Sequence, residues 1–117
     1  MDGIFAGYFT GALGSGFGIF VIGSGQIVGA DVGRVKFDGT YEIDAGTEML
    51  VGAMKITVPA NTPTINGRPM APTESSYTFD LTLPKDLGGE KFHRIETPFG
   101  AVNVRFEFLR GLSNSVG

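Results

Sequence analysis

The chain contains no cysteine, no tryptophan and a single histidine among its 117 residues. Without cysteine there are no disulfides, no thiolate metal ligands and no cysteine nucleophile. Small secreted domains often carry disulfides, so the absence points to a reducing compartment. Long apolar runs are missing too. The longest, residues 17–22, is broken by Gly18 and is far too short for a membrane helix. Asp2 stands where a signal peptide would carry basic charge, and Thr10, Gly11 and Gly14 soon interrupt the apolar residues, so a cytoplasmic location is expected. The nine Lys and Arg residues are scattered singly in a chain of net charge −3. No basic stripe is available to release counterions from a phosphate backbone. Direct nucleic-acid binding is therefore not expected, whereas a basic protein partner would be tolerated.

What the chain has in quantity is glycine and phenylalanine. Nineteen glycines exceed the usual share about twofold, and without a G-X-Y period they do not make collagen. They separate short β-branched and aromatic runs, which signals tight turns. Ten Phe and three Tyr supply most of the bulk in an apolar fraction of 42%. A chain of this length buries roughly two thirds of its unfolded surface in one domain, with no need of a covalent staple.

A period of two runs through most of the sequence. Tyr77, Phe79, Leu81 and Leu83 alternate with Ser76, Thr78, Asp80 and Thr82, and Val102, Val104, Phe106 and Phe108 with Asn103, Arg105 and Glu107. Val35, Phe37, Tyr41 and Ile43 alternate with Lys36, Asp38, Thr40 and Glu42, with Gly39 in one inward position. Each run places its bulky residues on one face of a half-buried strand. Residues 3–10, 16–22, 26–31, 49–58 and 91–97 read as further strands from their β-branched and aromatic content. Gly23-Ser24-Gly25, Asp44-Ala45-Gly46 and Leu87-Gly88-Gly89 supply residues that tolerate positive φ, and Thr97-Pro98-Phe99-Gly100 has Pro at the second position of a turn.

The expected fold is all-β: eight antiparallel strands in an up-and-down meander, closed into a barrel that removes exposed edges. Gly18, Gly39 and Gly52 suit the bends that closure needs. Such a barrel is just wide enough to fill with side chains or to hold one small ligand. Phe37, Tyr41, Phe79, Phe106 and Phe108 are the expected interior, with the three strand glycines leaving room. Residues 59–74 break the rhythm with four prolines around Asn66-Gly67. They form an excursion or flap from the barrel, either a tolerated insertion or a functional loop.

Residues that suggest chemistry have plainer readings. His93 lies in an expected strand with no cysteine to complete a zinc site and no identifiable nucleophile, so it is read as structural or solvent-facing. Gly14-Ser15-Gly16-Phe17-Gly18 resembles a phosphate loop only superficially. A strand follows it rather than a helix, and no lysine occurs before Lys36. Glu42, Asp44 and Glu48 flank a turn without the donor spacing of a calcium loop. They are read as a solvated hairpin end, with an acidic contact for a basic partner as the sharper alternative. Paired catalytic carboxylates and serine-hydrolase motifs are missing, so neither catalysis nor a cofactor is expected.

Met1-Asp2-Gly3-Ile4-Phe5, the glycine run through Gly16-Phe17-Gly18, the segment Gly25-Gln26-Ile27-Val28-Gly29-Ala30-Asp31-Val32-Gly33, and Phe37-Asp38-Gly39-Thr40-Tyr41 together resemble the type III secretion negative-regulator (GrlR-like) family. The likeness covers residues 1–58 well and continues more loosely to Leu109. It implies a calycin-like eight-stranded barrel that forms a homodimer and acts without catalysis by sequestering a transcriptional activator. The founding regulator contacts its activator through a run of four acidic residues, which this chain lacks, so those positions do not carry over.

Two functions are therefore expected. One is a regulatory binding protein with a protein partner, dimeric through an edge or an apolar outer patch around residues 11–22. The other is a carrier or sensor that holds a small lipophilic molecule in a lipocalin-like interior. A membrane β-barrel ranks below both, because the strands are short for a span and no export signal precedes them.

Overall fold

A computed structural model of the chain describes residues 2–89 and 91–112. Met1, which opens the family resemblance, lies outside the described residues. Among the described residues eight strands make up the fold: β1 (Gly3–Gly11), β2 (Gly14–Gly23), β3 (Gln26–Asp31), β4 (Lys36–Ile43), β5 (Met49–Val58), β6 (Ser75–Pro84), β7 (His93–Thr97) and β8 (Gly100–Gly111). All pairings are antiparallel, in the order β6-β5-β4-β3-β2-β1-β8-β7. The sheet curls into a nearly closed up-and-down barrel. Its last strands, β6 and β7, come together without a hydrogen-bonded ladder.

Alternation decides what faces inward. Phe5 on β1, Phe20 and Ile22 on β2, Ile27 on β3, Leu50 and Met54 on β5, Leu81 and Leu83 on β6 and Val104 and Phe106 on β8 form one buried cluster. Their neighbours along each strand point outward, as the period of two requires. The outer face of β4–β6 carries Lys36, Asp38, Glu42, Lys55 and Asp80, all exposed.

Turn chemistry sets the hairpins. Gly23 pairs with Gln26, which leaves Ser24 and Gly25 as a two-residue loop with φ of 52° and 78°. Positive φ at both central positions matches the twist of the flanking strands. In the β4–β5 turn the left-handed residue is Glu48, at φ 59°, rather than any of Asp44-Ala45-Gly46. Asp44 makes this tolerable by accepting hydrogen bonds from the Thr47 amide and hydroxyl, so the side chain and not a glycine shapes the turn.

The glycines expected to leave room inside do not. A Cβ on Gly39 would meet the Met54 side chain at 3.1 Å, one on Gly18 would meet the Ala30 carbonyl at 2.9 Å, and one on Gly52 would collide with the Thr40 carbonyl. Two glycines not singled out from the sequence, Gly7 and Gly29, seat the ring of Phe20, which a Cβ at either position would strike. Phe20 packs there against Phe9, Phe37 and Phe106 at centroid distances of 5.0–5.7 Å.

The two ends differ. The upper end holds the β1–β2, β3–β4 and β7–β8 turns and the excursion of residues 59–74. The lower end holds the β2–β3 and β4–β5 turns and the connection between β6 and β7. That connection is more than a turn: Leu87 enters the barrel and is only 2% exposed, and Gly88 forms a parallel bridge to Phe106. Leu87-Gly88-Gly89 thus combines a core leucine with one residue of positive φ, Gly89.

Candidate ligand-binding interior

Residues 59–74 turn back over the upper end of the barrel. The Leu13 amide donates to the Ile65 carbonyl at 2.9 Å, and the Gly67 amide donates to the Phe99 carbonyl at 3.0 Å. The excursion is thereby tied to the β1–β2 turn on one side and the β7–β8 turn on the other. Its own ends are drawn together by the Asn61 amide donating to the Ala71 carbonyl at 2.7 Å. Prolines suit this job, because a segment with few conformations when unfolded loses little entropy on being ordered.

Asn66, 4% exposed, is the hub of this lid. Its Oδ1 accepts from the Thr64 hydroxyl at 2.9 Å and the Arg68 amide at 3.2 Å. A backbone N–H can only donate, so the atom facing Arg68 is oxygen and the NH2 group faces the barrel. That NH2 donates to the Tyr77 hydroxyl on β6 at 3.2 Å, with a longer contact of 3.4 Å to Thr97 Oγ1 on β7. One side chain from the lid therefore clasps the two strands that share no ladder. Arg68 adds bonds from its guanidinium to the Pro69 carbonyl and the Ser75 hydroxyl.

Under the lid lies a cavity of about 150 Å³. Phe37, Ile56, Phe79, Ile95 and Phe106 are among its walls, Leu87 lies at its lower end, and Ile65 and Asn66 cover part of its upper side, leaving it partly open. Voids of this size are rare in close-packed interiors. A mostly apolar space of about 150 Å³ is large enough for a benzene-sized guest. Tyr77 is the polar group of note. Burial pushes its hydroxyl above the usual phenol range, against the smaller opposing effects of the Asn66 bond and the nearby Arg68 charge. It is thus a neutral donor at any physiological pH. Its oxygen accepts from Asn66, and its own proton has no acceptor among the described residues.

Of the expected interior residues, Phe37, Phe79 and Phe106 line this cavity, while Tyr41 and Phe108 do not. Tyr41 packs on the lower core. Phe108 is 52% exposed and is a correction to the expected interior set. It has the inward parity, but β8 runs past the lower rim, where Leu87 already fills the interior. The ring instead caps Phe5 edge-on at 5.4 Å, next to a bulge at which β1 steps from Ile4 to Phe5 while β8 steps from Arg110 to Phe108.

The other sequence candidates sit on the surface. Glu42, Asp44 and Glu48 are exposed around the lower hairpin end, and two of them have local duties. The Thr47 hydroxyl and amide hold the Asp44 carboxyl below the usual carboxylate range, and Glu48 pairs with Lys85 at 3.3 Å. His93 opens β7 opposite Val104. Gly14, Ser15 and Gly16 start β2 in a hairpin with Gly11. Among the described residues, no three His, Asp or Glu side chains gather into a metal-sized group, and no helix is long and apolar enough to cross a membrane. On the outside of β2 and β3, Phe17, Ile19, Val21 and Val28 form an exposed apolar stripe.

Asn66, Arg68 and Leu87 were not legible as site residues. The one available signal was an isoleucine and an asparagine held between Pro63 and Pro69, too apolar and too constrained for a free loop. No protein-family model matches the chain, and neither a comparison with curated proteins nor one with solved structures finds a match.

Proposed function

We propose that this protein is a non-enzymatic binding protein whose lidded interior holds one small, mostly apolar molecule. The observation that carries the reading is the void of about 150 Å³ left among large side chains in an otherwise tightly seated core, beneath a lid held by polar bonds. Hydrogen bonds of this kind exchange readily for bonds to water, so the lid can open at modest cost. The test is saturable binding of benzene or toluene, followed by melting temperature and by shifts of cavity methyl resonances. A ligand at 100 times its Kd stabilises by about 2.7 kcal/mol. Ile95→Phe, which fills the void, should remove the effect, and no saturable uptake by the unmodified chain would dismiss the reading.

A second reading is the regulatory one implied by the family resemblance: a cytoplasmic homodimer that captures a protein partner such as a transcriptional activator. The exposed stripe of Phe17, Ile19, Val21 and Val28 favours it, since contiguous apolar surface of this kind marks association sites. Of the three hairpin acids, Glu42 is the one without a side-chain partner among the described residues, so an acidic contact would depend mainly on it. Sedimentation analysis tests the pairing. A dimer that Ile19→Glu converts to monomer supports this reading, and a monomer at all concentrations sinks it. The two readings combine if the ligand tunes partner affinity.

A further inference from the structure

Among the described residues the interior has one hydrogen-bond donor to spare and no cation in its lining, and together these point to a ligand class. Among the described residues, each of the other polar side chains of the lining has at least one partner. Asp31 Oδ1 accepts from the Gly33 and Val35 amides at 2.8 and 3.0 Å. Thr64 donates to Asn66, and Thr97 donates to the Gly100 carbonyl at 2.7 Å. Asn66 has both its oxygen and its amino group bonded. Among the described residues, the Tyr77 hydroxyl proton is the side-chain donor of the lining without an acceptor, and the clasp on its oxygen holds that group in place beneath the lid. Among the described residues no Lys, Arg or His lines the cavity, and the guanidinium of Arg68 donates to the Pro69 carbonyl and the Ser75 hydroxyl. A carboxylate ligand would enter past Asp31 at the rim, and the nearest cation, Arg68, lies behind the lining with its donors already on Pro69 and Ser75, so burying the charge is costly.

We propose that the cavity selects a neutral, single-ring-sized molecule carrying one hydrogen-bond acceptor, a carbonyl or ether oxygen, which takes its bond from Tyr77. This inference rests on the interior being a ligand site. The apolar body fills the space among Phe37, Phe79 and Phe106, and the acceptor points up to the lid. A fully apolar guest of the same shape leaves the Tyr77 proton unpaired, so discrimination comes from that one donor.

The test uses three probes of nearly equal shape on the full chain: acetophenone, α-methylstyrene and benzoate. Titration calorimetry should rank acetophenone above α-methylstyrene by on the order of fivefold, the worth of one net hydrogen bond. Benzoate should be weakest. The carbonyl carbon of bound 13C-labelled acetophenone should shift downfield, a reading that needs no variant. Tyr77→Phe should erase the preference while α-methylstyrene still binds. Equal binding of the two neutral probes overturns this inference and leaves the ligand-site reading standing. Tightest binding by benzoate overturns it in favour of charge recognition. No binding of any probe overturns both.

Discussion

The lower end of the barrel is shut by a leucine and the upper end by an asparagine. Leu87 fills the lower interior, with Gly88 bridged to Phe106 beside it. Asn66 closes the upper end with four polar contacts shared among the lid, β6 and β7. Leu87 lies on the connection between the two unladdered strands that Asn66 clasps at the other end. Pulling a leucine into water forfeits burial that nothing else replaces, whereas a hydrogen-bonded clasp can trade its partners for water. On this contrast the lower end acts as a floor and the upper end as the side through which a ligand would enter, with the cavity running between Leu87 and the lid.

The largest test of this contrast is Leu87→Ala. Removing a buried leucine costs about 2–5 kcal/mol, so the urea midpoint should fall sharply and the whole sheet should lose amide protection together. If only the β6–β7 connection loosened, Leu87 would be a local cover rather than part of the global core. Asn66→Ala should cost less, about 1–3 kcal/mol, since it strands the Arg68 amide and the Tyr77 hydroxyl. Its mark should be local: faster hydrogen exchange at the Leu13 and Gly67 amides, with the core amides unchanged. Uniform acceleration would show that the lid and barrel open as one unit.

The smallest effects are those of pH, and they act on opposite ends at opposite extremes. Tyr77 is held above its ordinary value of 10.0 by burial, so the folded state keeps its proton more tightly than the unfolded chain. Its contribution is fully present below that ordinary value and is lost as pH rises through the folded one, with the upper end loosening first. Tyr77→Phe should flatten this alkaline limb of the melting curve. Asp44 is held below its ordinary value of 3.8 by Thr47. Its contribution is present above that value and is lost as pH falls through the folded one, at the β4–β5 turn of the lower end. Thr47→Val should remove that acid limb, and because the group is fully exposed the change should be slight.

The strands were largely legible, and for local reasons. Two expected segments, residues 26–31 and 49–58, coincide with β3 and β5, and most others differ by one to three residues at an end. Alternation reports on one strand and the layer it faces, and Tyr77, Phe79, Leu81 and Leu83 needed nothing more. Phe108 shows the limit. Its parity was inward, but parity does not say how far along its axis the barrel extends. The glycines show another limit, because whether a missing side chain leaves a void or seats a neighbour depends on residues two strands away, as Phe20 over Gly7 and Gly29 shows.

By itself, then, the sequence determined the eight strands, their up-and-down order and the identity of most inward-facing aromatic residues, since these follow from periods and turns within a few residues of chain. Only the tertiary structure decided that residues 59–74 lie over the upper end, that Asn66 spans β6 and β7, and that a void remains under it. Those features join residues 11 to 86 positions apart, such as Asn66 with Tyr77 and Leu13 with Phe99 through the lid between them. Contacts of that range are set by how the sheet curls and where its last two strands meet, which no local pattern encodes.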